Sequence, residues 1–401
     1  MKKAKALLLG VCVSMLVSGV ANADGFDAFL LEGSSVASSP EQINIGSPAE
    51  PWVDNTEARV KLEHENRGEN TETYSFRFRP RFSKEQNAAR SVYTLRRDQL
   101  LYNEEETLSE SLFERYTDLI ELVELRTHSD LLAKRIKLIQ AETDLLQSEK
   151  VPPDQLQKVV LRLVSAQSEL EFTKYRLAAM NARLNGKETV SLGQIISPAG
   201  IIGLLREKKA TLIAGQNALQ KRKAELALAM ASSQLDLEKA QKALGISTVE
   251  LSYDNKTNDS KALMFGVNIP FGVKSDPTVR DRMADVYEAQ TDLQRVQKTL
   301  DSNLQEKIEV LQSLATYWEA QKKLHQTLDA GFDRLEDTNE AALVLTLNQQ
   351  KLSVDESMIE IHFRMLRDYL SLLHMSGVLS EMPLRNWLRP KTPVMVTADV
   401  R

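Results

Sequence analysis

The sequence is nearly free of cysteine. Its only one, Cys12, lies in an apolar segment near the start, so a mature protein without that segment has no thiol. Such a protein has no disulfide and no cysteine-ligated metal. The five histidines show no metal-ligand spacing, and the chain lacks a glycine-rich phosphate loop, a nucleophile elbow and a zinc signature. We therefore expect no enzymatic activity and no cofactor.

Long apolar runs and aromatic residues are also scarce. Beyond residue 23, no apolar run approaches the ~18 residues of a membrane-spanning helix, so any membrane insertion would have to use β-strands. Aromatic residues are 6% of the chain and charged residues 27%, a mixture typical of long solvated helices. The formal net charge of -5 argues against nucleic acid as a partner.

The first residues have the pattern of a secretory signal peptide. A basic start (MKKAK) precedes an apolar stretch from Ala6 to Val20, and Ala21-Asn-Ala23 supplies a small-x-small cleavage pattern. We expect residues 1–23 to be a signal peptide; a transmembrane anchor is the alternative. Residues 24–56 are rich in Ser, Gly, Pro and Asn, which predicts an extended arm with little regular structure.

One short pattern occurs twice. The chain reads TYSFRFRPRF around Pro80 and LMFGVNIPFG around Pro270, and a second strand-like run precedes each. Side chains alternate with a period of two, which predicts β-hairpins over 58–82 and 247–271, each with a polar and an apolar face. Four such strands match the length of transmembrane strands but cannot close a barrel. Three chains would supply twelve strands; a soluble four-stranded sheet is the alternative.

Long helical stretches follow each hairpin. Residues 83–150 are nearly free of helix breakers, Pro152-Pro153 interrupts them, and leucines then recur every seven residues from Leu156 to Leu184. Further helices are predicted from about 204 to 244, from 279 to 328, and in a return leg to about 373. The predicted fold is therefore mainly α with short β: two repeats of long helical hairpins, 57–245 and 246–378, each with one β-hairpin, followed by a tail over 379–401.

These segments together resemble the TolC family of bacterial outer-membrane efflux proteins. The resemblance covers about 58–377 and is carried by an Ala-rich helix before the third strand (ALQKRKAELALAMASSQLDLEKAQKALGIS), the Pro-Phe corner after the fourth (FGVNIPFG) and the long helix after it. It implies a trimer with a twelve-stranded barrel in the outer membrane and a helical tunnel in the periplasm. It also implies a periplasmic adaptor and an inner-membrane transporter as partners. The rival interpretation is a structural or accessory coiled-coil protein without an open tunnel.

The chain departs from the family pattern in three places. The arm over 24–56 stands where family members have helices before the first strand. At the expected hairpin turns, Lys150 and Lys351 occupy positions where the family usually has Gly. Gly245-Ile-Ser replaces the Pro that usually precedes the third strand.

Three groups of residues are candidates for function. The polar positions of the strands are candidate pore-lining residues or simple cross-strand pairs: Lys61, Glu63, Arg77, Arg79 and Asn268. The two predicted turns, KVPPD and KLSVD, are candidate partner-docking tips or capped, solvated turns: Lys150, Asp154, Lys351 and Asp355. His362, with Met358 and Met365 on one helical face, suggests either passage of copper or silver or ordinary core packing.

Overall fold

The computed structural model describes residues 53–64, 70–148, 152–184, 192–214, 218–243, 248–256, 261–268, 276–335, 341–383 and 385–389. The predicted signal peptide and most of the predicted arm lie outside these residues. The strands are β1 (Val53–His64), β2 (Asn70–Pro80), β3 (Thr248–Lys256) and β4 (Lys261–Asn268). The first strand begins at Val53, so its first residues fall inside the segment predicted as an arm.

Seven helices connect or follow these strands in the described chain. They are α1 (Ser83–Ser148), α2 (Pro153–Arg183), α3 (Pro198–Ala214), α4 (Leu219–Ala243), α5 (Pro277–Leu335), α6 (Ala341–Met375) and the short α7 (Val378–Glu381). The prediction of a mainly helical fold with two β-hairpins is confirmed. In the part of the chain that the structure describes, no helix is long and apolar enough to cross a membrane.

One predicted helix is two helices. The helix predicted over 204–244 begins earlier, at Pro198, and is divided into α3 and α4. The residues between them include Gly215 and Asn217 and lie outside the described chain. Gly and Asn are weak helix formers, and the alanine-rich composition on either side outweighed them in the prediction.

All four strands form one antiparallel sheet. Its order is β1-β2-β3-β4, so the central pairing of β2 with β3 joins the two repeats. Phe76 lies opposite Leu251 in that pairing, and Leu251 lies opposite Phe265 in the next. The apolar positions that alternate along each strand in the sequence therefore lie opposite one another on neighbouring strands of the sheet.

Four long helices lie side by side in the order α2-α1-α6-α5. Arg176 of α2 contacts Glu121 of α1 at 2.8 Å, which sets the first pair. The second pair is set by Arg367 of α6, which contacts Glu124 of α1 at 2.6 Å. Lys307 of α5 contacts Asp368 of α6 at 2.6 Å, which completes the order. Each neighbouring pair is antiparallel, and the central pair, α1 with α6, again joins the two repeats.

The largest core cluster forms where these helices meet α3. Leu119, Ile201, Leu304 and Leu366 are fully buried within it. Burying a leucine side chain contributes about 1.5–3 kcal/mol, so this cluster is the main apolar stabilisation of its unit. The described chain divides into two compact units. One contains Glu104–Leu219 and the chain from Lys298 onward, and the other contains Ile43–Asn103 and Gln220–Gln297.

Part of the predicted tail belongs to this core. Gly377, with a φ of 76°, lets the chain turn between α6 and α7. The backbone N–H of Ile196 then donates to the carbonyl of Leu388 at 2.6 Å, and the Tyr116 hydroxyl donates to the carbonyl of Arg385 at 2.9 Å. Residues 385–388 are therefore packed into the core, where the indole of Trp387 is 2% exposed.

Candidate functional site: the sheet and the helix-hairpin ends

One face of the sheet is apolar and open along all four strands. The rows across it are Thr56-Phe78-Val249-Val267, Ala58-Phe76-Leu251-Phe265 and Val60-Tyr74-Tyr253-Leu263. Val60 is 63% exposed, Leu263 71% and Phe265 69%. Soluble proteins rarely leave so continuous an apolar surface uncovered, and such surfaces mark membrane or protein contacts.

The opposite face carries the charges. One row reads Glu57-Arg77-Glu250-Gly266, which places Arg77 between two acidic residues on the neighbouring strands. The Nε of Arg77 lies 2.9 Å from Glu250 Oε2, and the Nε of Arg59 lies 2.6 Å from Glu57 Oε1. The polar and apolar sets of the sequence prediction thus lie on opposite faces of the sheet.

Four of the five predicted pore-lining residues lie together on the polar face of the sheet. Lys61 pairs with Glu63, and Arg77 pairs with Glu250, all on the polar face. Asn268 lies opposite Thr248 at the end of that face. The alternation in LMFGVNIPFG also places Ile269 on the apolar face, but Ile269 lies outside the described residues.

Arg79 occupies a different setting from the other pore-lining candidates. Its Nη2 lies 3.5 Å from Oε1 of Glu85, the buried first-turn glutamate of α1, and Arg81 approaches the same oxygen at 4.0 Å. An acidic residue in the first turn also interacts favourably with the helix dipole. Arg79 therefore anchors the end of β2 to the start of α1.

A second charged cluster lies at the start of α5. Asp276 Oδ1 accepts hydrogen bonds from the backbone N–H of Thr278 at 2.9 Å and from its hydroxyl at 2.6 Å. Lys242 of α4 contacts Asp276 and also lies 2.8 Å from Glu238. The hydrogen bond from Lys242, and then those from Thr278, lower the pKa of Asp276 to about 2. Asp276 thus caps α5, a role the sequence prediction missed although Asp-Pro-Thr is a helix-start signal.

The first predicted helix-hairpin turn lies where it was expected. α1 ends at Ser148 and α2 begins at Pro153, and Pro152 and Asp154 are exposed beside the turn. Lys150 lies outside the described residues. Proline near the first helical position fits a helix start because that position needs no intrahelical N–H bond.

The second predicted turn is wrong in position. Lys351 and Asp355 lie inside α6, while α5 continues to Leu335 and α6 begins at Ala341. KLSVD contains no Pro or Gly, so nothing in it stops a helix, unlike KVPPD. Lys351 Nζ instead lies 2.5 Å from Asp329 Oδ1 of α5 and lowers the pKa of that carboxyl.

Both ring nitrogens of His325 are held between carboxylates on the two helices of this hairpin. Nδ1 lies 3.0 Å from Asp329 Oδ2 and Nε2 lies 3.0 Å from Asp355 Oδ1. Lys351 and Asp355 are therefore interhelical partners of α5. The sequence signal for them was their spacing of four residues on one helical face.

His362 is part of the core. Its Nε2 lies 2.8 Å from the carbonyl oxygen of Ile196, to which it donates, and burial lowers the pKa of its ring. Met365 is fully buried next to it, which agrees with the core-packing interpretation of this Met and His pattern. Among the described residues, no group of three or more His, Cys, Asp or Glu side chains could hold a metal ion.

Both outer helices of the four-helix row expose apolar side chains. On α2, these residues recur at helical spacing on the face away from its buried positions: Leu161, Val164, Phe172 and Tyr175, exposed by 62%, 55%, 62% and 73%. On α5, Tyr317 and Leu324 are seven residues apart and are 51% and 45% exposed. Each outer helix thus carries an apolar stripe at helical spacing.

No protein-family model matches this sequence, and no curated protein sequence matches it. Among solved structures, the chain is similar to CusC, described in terms of transmembrane channel formation, with a TM-score of 0.58, 12% identity, and coverage of 91% of this chain and 92% of that one. The outer membrane protein VceC of Vibrio cholerae gives a TM-score of 0.58 at 12% identity, covering 92% and 96%.

The CmeC outer membrane channel of Campylobacter jejuni gives a TM-score of 0.55 at 9% identity, covering 89% of this chain and 83% of that one. These three similar structures extend over the sheet and the long helices together. Proteins described as outer-membrane channels thus have a similar fold. Because the sequence identities are so low, this similarity is evidence for the fold alone. The chain has a divergent TolC-like fold.

Proposed function

We propose that this chain is a subunit of an outer-membrane channel, a passive conduit from the periplasm to the exterior. The observation that carries the proposal is the two-faced sheet: β1, β2 and β3 present mainly apolar side chains to one face and mainly polar side chains to the other, and β4 extends the apolar face with Leu263, Phe265 and Val267. In a transmembrane barrel, strands alternate between lipid-facing apolar residues and lumen-facing polar residues. The fold of CusC, VceC and CmeC supports the same assignment.

A homotrimer follows from the edges of the sheet. In the described sheet, β1 and β4 are the outer strands, and each pairs on one side only. Unpaired backbone groups in lipid are unfavourable by several kcal/mol each, so the edges require partners. Three copies, with β4 of one pairing with β1 of the next, close a barrel of twelve strands.

The helices support the same ring. The stripe on α2 and the stripe on α5 lie on the two ends of the α2-α1-α6-α5 row, on different surfaces of one chain. Contact between two different surfaces is heterologous, and repeated heterologous contacts close into a ring when the rotation between copies allows it. Packing α2 of one subunit against α5 of the next would bury Phe172 and Tyr175.

The partners are a periplasmic adaptor protein and an inner-membrane transporter, as part of a tripartite efflux or type I secretion system. The ends of the helical hairpins are the proposed contact: Pro152-Asp154 at one hairpin, and the end of α5 at Leu335 with the start of α6 at Ala341 at the other. Turns at the ends of rigid helices commonly carry binding residues. Lys351 and Asp355 are not part of this proposed contact, because they lie inside α6 and pair with α5.

A second candidate function is that of a structural or accessory protein of the cell envelope without an open tunnel. The specific observation in its favour is the Ser-, Gly-, Pro- and Asn-rich sequence before β1, which stands where the resemblance leads us to expect helices. A tunnel wall lacking one helix per subunit would be incomplete. Such a protein would keep the sheet and the helical hairpins without conducting solutes.

Fractionation and native mass spectrometry test the proposal. We expect the protein in the outer-membrane fraction, with a trimer that survives mild detergent and dissociates to a faster-migrating monomer on heating. A stable detergent-solubilised monomer would contradict the trimer. Recovery in the soluble periplasmic fraction would favour the accessory protein.

A further inference from the structure

The polar face of the sheet is charge-compensated almost residue by residue. Acidic and basic side chains occupy alternate positions of β1, β2 and β3: Glu57, Glu63, Glu250 and Asp254 against Arg59, Lys61, Arg77 and Lys256. A fifth basic residue of this face, Arg79, is compensated by Glu85 of α1. Most of these charges are paired within or between strands, Glu57 with Arg59, Lys61 with Glu63, and Arg77 with Glu250. In β4 the same face carries no charge between its ends, since it reads Ala262, Met264 and Gly266.

The row through Arg77 is the exception in geometry. Arg77 lies opposite Glu57 on one side and opposite Glu250 on the other, and its side chain pairs with Glu250. This row is at the end of the sheet where β2 runs into α1 and where β3 starts. Threefold repetition would place three Arg77-Glu250 pairs at one level of a barrel.

We propose that the Arg77-Glu250 pair determines the ion selectivity of the channel, and that its compensation makes the wild-type pore weakly selective for charge. This inference rests on the proposed channel function. Rings of uncompensated charge in a pore select ions of the opposite sign, because the field in a narrow lumen is weakly screened. Where each arginine is paired with a glutamate at the same depth of the pore, the net electrostatic field in the lumen is small. Anionic and cationic solutes of equal size should therefore pass with similar ease.

Breaking the pair from either side should therefore produce opposite selectivities. Arg77→Gln leaves three uncompensated Glu250 carboxylates in the trimer, and Glu250→Gln leaves three uncompensated Arg77 guanidinium groups. The double variant Arg77→Gln with Glu250→Gln restores neutrality. Each variant keeps a polar side chain at a partly exposed position, so barrel assembly should be retained.

The measurement is the reversal potential of the purified trimer in planar bilayers under a potassium chloride gradient. We expect a wild-type potassium-to-chloride permeability ratio within about twofold of one, and shifts of about threefold or more toward potassium in Arg77→Gln and toward chloride in Glu250→Gln. The double variant should return to the wild-type ratio. Glu72→Gln is the matched control, because Glu72 lies on β2 at a position of the opposite face.

Each outcome separates this inference from the proposed function. If the purified trimer forms no conducting channel, the channel function itself fails. If wild-type channels conduct but the two single variants leave the permeability ratio unchanged, the Arg77-Glu250 pair is not the selectivity determinant. A strongly selective wild-type pore, or a shift in Glu72→Gln equal to that in Glu250→Gln, would also overturn the inference.

Discussion

Two adjacent residues of β4 distinguish a lipid-facing sheet from a sheet in water. Phe265 lies on the apolar face and is 69% exposed, while Met264 lies on the polar face and is 48% exposed. Both are near the middle of the strand and both are exposed, so replacing either with arginine creates no cavity and no overpacking. The two positions differ in the face of the sheet on which they lie, and therefore in whether the side chain would meet lipid or the lumen.

The expected energies follow from that difference. Arginine on the lipid face of a transmembrane barrel costs ~2–4 kcal/mol near the bilayer midplane, so Phe265→Arg should cost ~6–12 kcal/mol in a trimer with three copies. Met264→Arg should be nearly neutral, because the side chain would reach a water-filled lumen. If the sheet were in water, both substitutions would be ordinary surface changes within about 0.5 kcal/mol.

Folding of the purified chain into lipid vesicles, followed by urea titration, measures this contrast. Trimers resolved by unheated gel electrophoresis provide the second readout. We expect Phe265→Arg to abolish or greatly reduce trimer formation and outer-membrane recovery, while Met264→Arg retains both. Equal stabilities for the two variants would refute a lipid-facing assignment, and the reverse order would mean that the faces are inverted.

Three further predictions concern the helices. Leu304→Ala in the buried core should lower the free energy of unfolding by about 2–5 kcal/mol, whereas Gln326→Ala, exposed on the same helix, should change it by under about 0.5 kcal/mol, as measured by denaturant titration. Burial lowers the pKa of His362 below its ordinary value of 6.5, so the unfolded chain binds this proton at a higher pH than the folded chain does. The thermal midpoint should therefore fall as the pH is lowered from about 7 to about 5. In His362→Gln this fall should be smaller. Lys351→Glu places a second carboxylate beside Asp329 and should lower the thermal midpoint, while Lys158→Glu on the exposed side of α2 should not.

Much of the fold could be predicted from the sequence because its signals are local. The period-two alternation of TYSFRFR needs only neighbouring residues, and it gave the two faces of β2 that the register shows. Pro152-Pro153 likewise marked the turn between α1 and α2 because proline disrupts helical hydrogen bonding wherever it occurs inside a helix. The strand starts and helix ends shifted by a few residues where the chain has no such marker, as at Val53.

The misplaced turn and the missed partners have a different origin. The prediction treated KLSVD as a turn because its Lys and Asp match those of KVPPD. Only KVPPD contains helix breakers, and α6 continues through Lys351. Glu250 was absent from the candidate site because its role depends on β3 pairing with β2, which joins residues far apart in the chain. The local pattern predicts the pairing within each hairpin, but it gives no signal for which strands of the two hairpins pair with each other.

The pairing of α1 with α6 has a consequence for how the chain reaches its native state. Arg135 and Glu356 are 221 positions apart, and Glu124 and Arg367 are 243 apart. Contacts between such distant segments close large loops and slow folding, since the entropy of the loop is lost before the contact forms. During synthesis, α1 therefore emerges long before its partner, with Leu119, Ile120 and Val123 uncovered. We expect folding intermediates of this chain to depend on a holding chaperone until α6 arrives.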